Sequence, residues 1–358
     1  MASIPPFTAT LLEWFRQNGR CLPWRLTHDP YAIWLSEVIL QQTRISQGTD
    51  YWHRFMQRFP TVQHLAEASE DEVLRLWQGL GYYSRARNLH KAAQQIVEAG
   101  QFPHCFADLK KLKGVGDYTA AAIASIAFNE PVAAVDGNVY RVLSRHYGID
   151  TPINSTEGRH VFAQLAQELV PPHQASAYNQ AIMDFGAIQC TPQSPKCLLC
   201  PLAVTCQALH DDRIQQLPVK LRTVKVDTRH LSYVYIRCKG QTPIRRRTAG
   251  DIWQGLWEPF NASHLEDADA LQPDALLQSL HLPASAQPPV MLAHHVKHVL
   301  THRILYADFF LLHTDTRPTL PADYIWIDED DIDSYGVPRL VQILLEVLAR
   351  KENVERKS

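Results

Sequence analysis

Leu112-Lys113-Gly114-Val115-Gly116-Asp117-Tyr118-Thr119-Ala120 decides the reading of the first half of this chain. A helix of roughly two turns, Phe106–Leu112, is expected to run into Gly-Val-Gly, and an Ala-rich helix restarts near Asp117. Glycine reaches backbone conformations closed to other residues and lets the chain approach a ligand closely. The amides of Gly114 and Gly116, with the positive end of the following helix, form an anion site, and Lys110, Lys111 and Lys113 lie beside it in sequence. A phosphate of DNA fits such a site. The plain alternative is an ordinary helix–helix turn closed by glycine.

Outward from that hairpin, residues from about 7 to 209 read as almost wholly helical. Apolar side chains recur at helical spacing in Tyr31, Trp34, Leu35, Val38, Ile39 and again in Leu65, Val73, Leu74, Leu76, Trp77. Asp29 suits a helix cap and Pro30 the first helical position, where a missing N–H costs nothing. A stretch rich in charge and Gln, residues 210–228, contains Pro218 and reads as a linker. The pattern then changes. His230–Ile236 alternates like a strand, Lys239-Gly240 reads as a turn, and Pro243–Arg247, Ile304–Leu312 and Tyr324–Asp328 are further strand candidates. Residues 283–289 read as a loop, and a helix over Pro338–Arg350 closes the chain. The expected organisation is an all-α region over 1–209 and an α+β domain over 229–358.

Composition sets bounds. With 358 residues, two domains are expected, and 46% apolar with 20% charged residues is ordinary for a globular protein. No apolar run is long enough for a membrane span, and Met1–Pro6 lacks a secretory signal pattern. Residues 1–220 hold 19 basic against 19 acidic side chains, and residues 221–358 hold 16 against 18. Overall charge therefore lends nothing to nucleic-acid binding, which must rest on local geometry.

Three further signals carry chemistry. Glu37 is a single carboxylate in the strongly apolar run Ile33-Trp34-Leu35-Ser36-Glu37-Val38-Ile39-Leu40. Burial raises a carboxyl pKa and fits it for general-acid work near neutral pH. A solvated Glu, or one paired with Arg, is the bland alternative. Asp136, in Val135-Asp136-Gly137-Asn138-Val139, starts another helix. It is either a helix cap or an ionised carboxylate facing a developing cation; with Glu37 it makes an acid/anion pair. Cys190, Cys197, Cys200 and Cys206 sit within seventeen residues, spaced 6–2–5, with Pro192, Pro195 and Pro201 among them. Four thiolates there suit a tetrahedral metal such as zinc or a 4Fe–4S cluster. Cys21, Cys105 and Cys238 read as buried small hydrophobes.

Together these residues resemble the endonuclease III-like, helix-hairpin-helix superfamily of DNA glycosylases, whose cluster signature is the 6–2–5 cysteine spacing. The match is closest to the MutY-type adenine DNA glycosylases, through Leu22-Pro23-Trp24-Arg25, Asp29-Pro30-Tyr31, Ser36–Thr43, Gly79–Arg87, Val135–Val139 and Asn179-Gln180-Ala181. The resemblance covers residues 7–209 densely. More loosely, the C-terminal part resembles that family's Nudix-like recognition domain, where Gly255-Leu256-Trp257-Glu258 fits the pattern and no Nudix hydrolase box is visible. The family's Phe-Ser-His loop aligns with Leu300-Thr301-His302, and Lys113 replaces a proline in the hairpin.

The resemblance implies a base-excision-repair enzyme that removes adenine mispaired with 8-oxoguanine or guanine. It implies Glu37 and Asp136 as catalytic residues and a 4Fe–4S cluster on Cys190, Cys197, Cys200 and Cys206. Gln42 and Tyr82 are implied to wedge into the base stack, Thr43 and Leu80 to lie near the opposite guanine, and Gly114 and Gly116 to hold a phosphate. Arg25, Tyr118, Asn138 and Gln180 are implied near the adenine, and Thr301 and His302 near the lesion. The endonuclease III branch carries a nucleophilic Lys where this chain has Tyr118, and reads Val-Asp-Thr-His where this chain reads Val-Asp-Gly-Asn. Schiff-base lyase chemistry thus loses its amine, so a monofunctional enzyme is expected. A monomer acting on double-stranded DNA is the default expectation, in the cytoplasm or nucleoid if the chain is bacterial. The alternatives are an endonuclease III-like pyrimidine glycosylase/lyase, or a non-catalytic iron–sulfur DNA sensor.

Overall fold

The computed structural model describes residues 4–221, 226–263, 273–283 and 286–355, with side chains to residue 352. Residues 222–225 of the expected linker and 284–285 of the expected loop lie outside the described residues. The chain forms two compact units: Met1–Glu67 with Asn88–Arg222, and Ala68–Arg87 with Thr223–Ser358. Among the described residues, no helix is long and apolar enough to cross a membrane.

The first unit is helical. The helix Pro30–Leu40 begins where the sequence places it, with the Asp29 carboxylate accepting the Tyr31 N–H at 3.0 Å. Every residue from Tyr31 to Ile39 is buried, Ser36 and Glu37 included. A helix apolar on all sides has no solvent stripe to offer, so its one carboxylate is carried inside. A second group of helices, Pro6–Asn18, Gly137–Tyr147, Thr156–Leu169 and Ala175–Asp184, shares a core of Leu11, Leu143, Phe162, Tyr178 and Ile182. Each such side chain contributes ~1.5–3 kcal/mol through burial.

The hairpin is tighter than expected. The first helix spans only Phe106–Leu109, because Lys111 and Leu112 donate to the carbonyls three residues back, at 3.0 and 3.1 Å. Gly114 has φ +77°, and a Cβ there would stand 2.5 Å from the Asn88 Cβ, so no larger residue fits. Gly116 caps the helix Asp117–Phe128 and faces open space. Lys110 is committed to Asp117 and Lys111 to Asp108, at 2.5 and 2.7 Å. Both pairs are exposed, so each places a carboxylate beside its ammonium group without burying it.

The helix Ala175–Asp184 runs directly into a π-helical turn, Phe185–Gln189. Gly186 in that turn packs so closely on Asn138 that an added Cβ would lie 2.6 Å from the Asn138 Cβ. Cys21 is exposed and Cys105 half-exposed; of the three scattered cysteines only Cys238 is buried as expected. Cys21 falls in the loop just before Pro23–Arg25, outside any apolar helix face.

Among the described residues of the second unit six strands form one mixed sheet: β1 (Asp227–Arg237), β2 (Gln241–Arg246), β3 (Trp257–Asn261), β4 (Val290–Val299), β5 (Arg303–His313) and β6 (Tyr324–Asp328). Their order is β4-β5-β1-β3-β2-β6, with β1 and β5 parallel and the other neighbours antiparallel. Lys239 and Gly240, both at positive φ, turn β1 into β2. One sheet face (Leu231, Tyr233, Leu305, Phe309) packs with Leu340, Val341 and Leu344 of the closing helix Arg339–Glu355. The other (Val234, Ile236, Phe310, Leu312) packs with Leu276 and Leu277 of the helix Pro273–Ser279. Sequence patterning missed β3 and β4. β3 is nearly all buried and shows no alternation, and β4 is interrupted by register shifts.

Residues 68–87 belong to this second unit through long-range pairing. Arg246 reaches Glu70 at 2.9 Å and Asp71 at 3.2 Å, Trp257 Nε1 donates to Asp71 at 3.3 Å, and Arg87 donates to the Gln254 carbonyl.

Candidate active site

A cavity of about 630 Å³ opens in the first unit. That is within the ~300–1,000 Å³ typical of small-molecule pockets. Glu37 and Asp136 both line it, and so do Arg25, Gln42, Thr43, Tyr118, Asn138 and Gln180. The two carboxylates reach it from different elements: Glu37 from within the buried helix Pro30–Leu40, Asp136 from the cap of Gly137–Tyr147.

The carboxylates differ in their partners. Glu37 is 9% exposed and accepts one hydrogen bond, from the Tyr118 hydroxyl at 2.6 Å. Burial lifts its carboxyl to about 7, helped by the negative charge of Asp136; the Tyr118 bond and Arg25 pull the other way. Asp136 accepts three bonds, from the Asn138 and Val139 amides at 2.8 Å each and from Asn138 Nδ2 at 2.7 Å. Burial raises its pKa also, against the pull of those donors and of Arg141. Charge on Asp136 is thus held by three donors and a helix N-terminus, whereas Glu37 has one donor.

Behind this wall lies a pair that sequence reasoning missed. Asp184, wholly buried, takes Arg25 in a two-pronged bond at 2.8 and 2.8 Å. It also takes the Arg20 guanidinium at 2.5 Å and the Arg20 amide at 2.9 Å. Burial works to raise the Asp184 pKa, but the two arginines outweigh it and hold the carboxyl below its ordinary value. Arg20 and Arg25 both face the cavity. A lone acid in an apolar helix, the signal that singled out Glu37, also marks Asp184 in Ala181-Ile182-Met183-Asp184-Phe185.

The cysteine loop is joined to the same helix start. Arg141 donates to the Asn138 side chain at 2.8 Å, to the Gly186 carbonyl at 2.6 Å and to the Cys190 carbonyl at 2.8 Å. One turn on, Arg145 bonds the Thr191, Pro192 and Leu217 carbonyls and stands 3.5 Å from the Cys190 sulfur. Cys190, Cys197, Cys200 and Cys206 are half-buried free thiols. Burial pushes the Cys197, Cys200 and Cys206 thiols up, Cys200 to about 11, and each is pushed further by the charge of its neighbours. Cys197, Cys200 and Cys206, whose ionisation burial opposes, share one loop with Cys190, beside the Arg145 guanidinium, a donor set whose thiolate charge a metal centre would neutralise.

The second unit has its own cavity, of about 680 Å³, lined by Leu80, Tyr82, Trp253, Thr301 and His302 among others. Tyr82, at φ +47°, hydrogen-bonds Thr301 hydroxyl to hydroxyl. Gly114 and Gly116 lie on neither cavity wall.

Comparison with known proteins agrees with this architecture. Residues 35–172 match the HhH-GPD superfamily base excision DNA repair protein model, and residues 232–347 match the NUDIX domain model. An adenine DNA glycosylase of Buchnera aphidicola subsp. Schizaphis graminum is 32% identical over 95% of this chain and 98% of its own length. An adenine DNA glycosylase of Mus musculus is 35% identical over 94% of this chain and 76% of its own. Among solved structures, a thermostable thymine-DNA glycosylase superposes with a TM-score of 0.54 at 29% identity, covering 57% of this chain and 95% of its own.

Proposed function

The chain belongs to the adenine DNA glycosylase family, and from that premise we propose that its first-unit cavity receives an adenine turned out of duplex DNA from opposite 8-oxoguanine or guanine. It is a DNA N-glycosylase of base excision repair. The observation that carries the site assignment is the pair of carboxylates lining one cavity, Glu37 with its carboxyl lifted to about 7 and Asp136 held by three donors.

A base inside the stack is out of reach, so extrusion comes first. Gln42 and Tyr82 are assigned the wedge, Thr43 and Leu80 the face of the opposite base, and the Gly114 and Gly116 amides a backbone phosphate. Thr301 and His302 are assigned the lesion side. Glu37, protonated, gives its proton to N7 of adenine. The C1′–N9 bond then breaks with its electron pair going to the base, leaving a sugar oxocarbenium ion. Asp136 offers negative charge to that cation. The Glu37 carboxylate accepts a proton from water as the water oxygen bonds C1′, which restores the acid. Arg25, Asn138 and Gln180 orient the purine. With Tyr118 at the lyase position, the lysine amine that forms a Schiff base in the endonuclease III branch is missing from that place.

Cys190, Cys197, Cys200 and Cys206 would hold a 4Fe–4S cluster, whose contribution is to tie residues 190–206 into one rigid DNA-facing loop. Arg145 and Arg141 anchor that loop to the helix capped by Asp136. We assign residues 1–209 as the glycosylase domain, 210–228 as linker and 229–358 as the lesion-recognition domain, in a monomer, with residues 68–87 packed into the second compact unit and residues 210–222 into the first.

The test is release of free adenine from a duplex holding adenine opposite 8-oxoguanine, with iron assayed on the same sample. The expected outcome is adenine release, no borohydride-trapped complex, and about four irons per chain. A protein that binds the duplex without releasing base defeats the enzymatic reading. Efficient trapping restores the lyase, and stoichiometric zinc in place of iron removes the cluster.

A further inference from the structure

We propose that His294, His295 and Asp308 form a divalent-metal site in the second unit that clamps strand β4 to strand β5. Adjacent residues on a regular strand point to opposite faces. Here the β4–β5 register shifts between Ala293 and Val296, directly across from Asp308, and His295 has φ +56°. Such a left-handed backbone is uncommon outside glycine. The bulge has a consequence for the side chains: one ligand atom from each of His294, His295 and Asp308 lies within 4.8 Å of the other two.

Two imidazoles and one carboxylate are a donor set suited to zinc and neighbouring first-row ions, with remaining positions open to water. Asp308 is already drawn toward both histidines. Its Oδ1 stands 3.0 Å from His294 Nδ1 and accepts the His295 backbone N–H at 2.6 Å. The His295 ring is steadied by Tyr306, 4.3 Å away between centroids, and by His230 at 5.7 Å. His294 and His295 are exposed, so an ion has access and the rings can close on it. Among the described residues β4 is an edge strand, paired on one side. A metal bridging its bulge to β5 would fix the base of the hairpin whose turn carries Thr301 and His302. None of this depends on the glycosylase reading.

The experiment is calorimetric titration of zinc into the tag-free full-length chain, its cysteine loop intact, after dialysis against a chelator. Wild type is expected to bind one zinc that His294→Gln and His295→Gln weaken by about 10-fold or more. Zinc should also raise the urea midpoint of wild type and leave that of the variants unchanged. Asp308→Asn should behave likewise. If it fails to fold, His294→Gln alone decides, because it leaves the Asp308 bond to the His295 amide in place. Zinc bound equally by wild type and variants, or not bound by wild type at micromolar concentration, overturns the proposal and leaves a His294–Asp308 contact beside an aromatic stack.

Discussion

The hydroxyl of Tyr118 donates to Oε2 of Glu37 at 2.6 Å, across 81 residues of sequence. Tyr118 is itself buried, and burial with the Glu37 charge keeps its phenol protonated well above the ordinary range. It is therefore a permanent donor to whatever charge Glu37 carries.

That bond predicts a pH profile. A general acid must be protonated to act, and Glu37 titrates at about 7. Excision should fall about tenfold per unit as pH rises past that value. Tyr118→Phe removes a bond that lowers the Glu37 pKa, so the alkaline limb should move to higher pH. Glu37→Gln should cost ~10²–10⁴-fold in rate with duplex binding kept. Single-turnover rates across pH check all three; a limb that stays put in Tyr118→Phe, or near-normal excision by Glu37→Gln, refutes the role of Glu37.

Asp136 separates a cap from a catalytic charge. Its Oδ1 accepts both cap amides, and an Asn side-chain oxygen accepts them equally well. Asp136→Asn should therefore keep the cap and lose only the Oδ2 bond from Asn138 Nδ2, a cost of ~0.5–1.5 kcal/mol. Losing the negative charge should cost excision ~10²-fold or more. An Asn variant that is both stable and active would leave Asp136 a helix cap and nothing else.

Much of the site was legible because its signals are local. A Gly-Val-Gly turn, a lone Glu in an apolar helix and four cysteines in seventeen residues each report chemistry within a few positions. What stayed hidden was made by distance. Arg20 and Arg25 meet Asp184 across 164 and 159 residues. Residues 68–87 join the second unit through Arg246 and Trp257, which no periodicity encodes. β4 escaped because its bulges break the alternation that marks a strand. The extent of the hairpin's first helix was misjudged for a smaller reason: hydrogen bonds to the third residue back close the chain after Leu109.

Asp184 predicts a large effect away from any reacting atom. Two guanidiniums converge on one fully buried carboxylate, so removing its charge leaves both uncompensated. Asp184→Asn should destabilise the protein by ~3–5 kcal/mol. Arg20→Lys keeps one charge and should cost less, since Arg25 retains its two-pronged bond. Urea midpoints of the two variants give the comparison; an Asp184→Asn midpoint equal to wild type would show that the pair contributes nothing to the fold.

His146 predicts an acid limb in stability. Its ring is buried between Phe7 and Tyr147, at 4.7 and 4.8 Å, and its Nδ1 finds no hydrogen-bond partner among the described residues. Burial lowers its pKa from 6.5 to about 4. Between those values the unfolded chain binds the proton and the folded chain does not, so stability falls as pH drops from 6.5 toward 4 and levels off below. The gap sets a ceiling of ~3 kcal/mol, which partial solvent screening reduces to ~1–2 kcal/mol. His146→Phe keeps the ring packing and removes the titration. The variant should lose that part of the acid slope while matching or exceeding wild-type stability at neutral pH, because an unsatisfied buried nitrogen goes with it. Urea midpoints at intervals through this window decide it, and parallel curves for the two proteins would show that His146 does not titrate on unfolding.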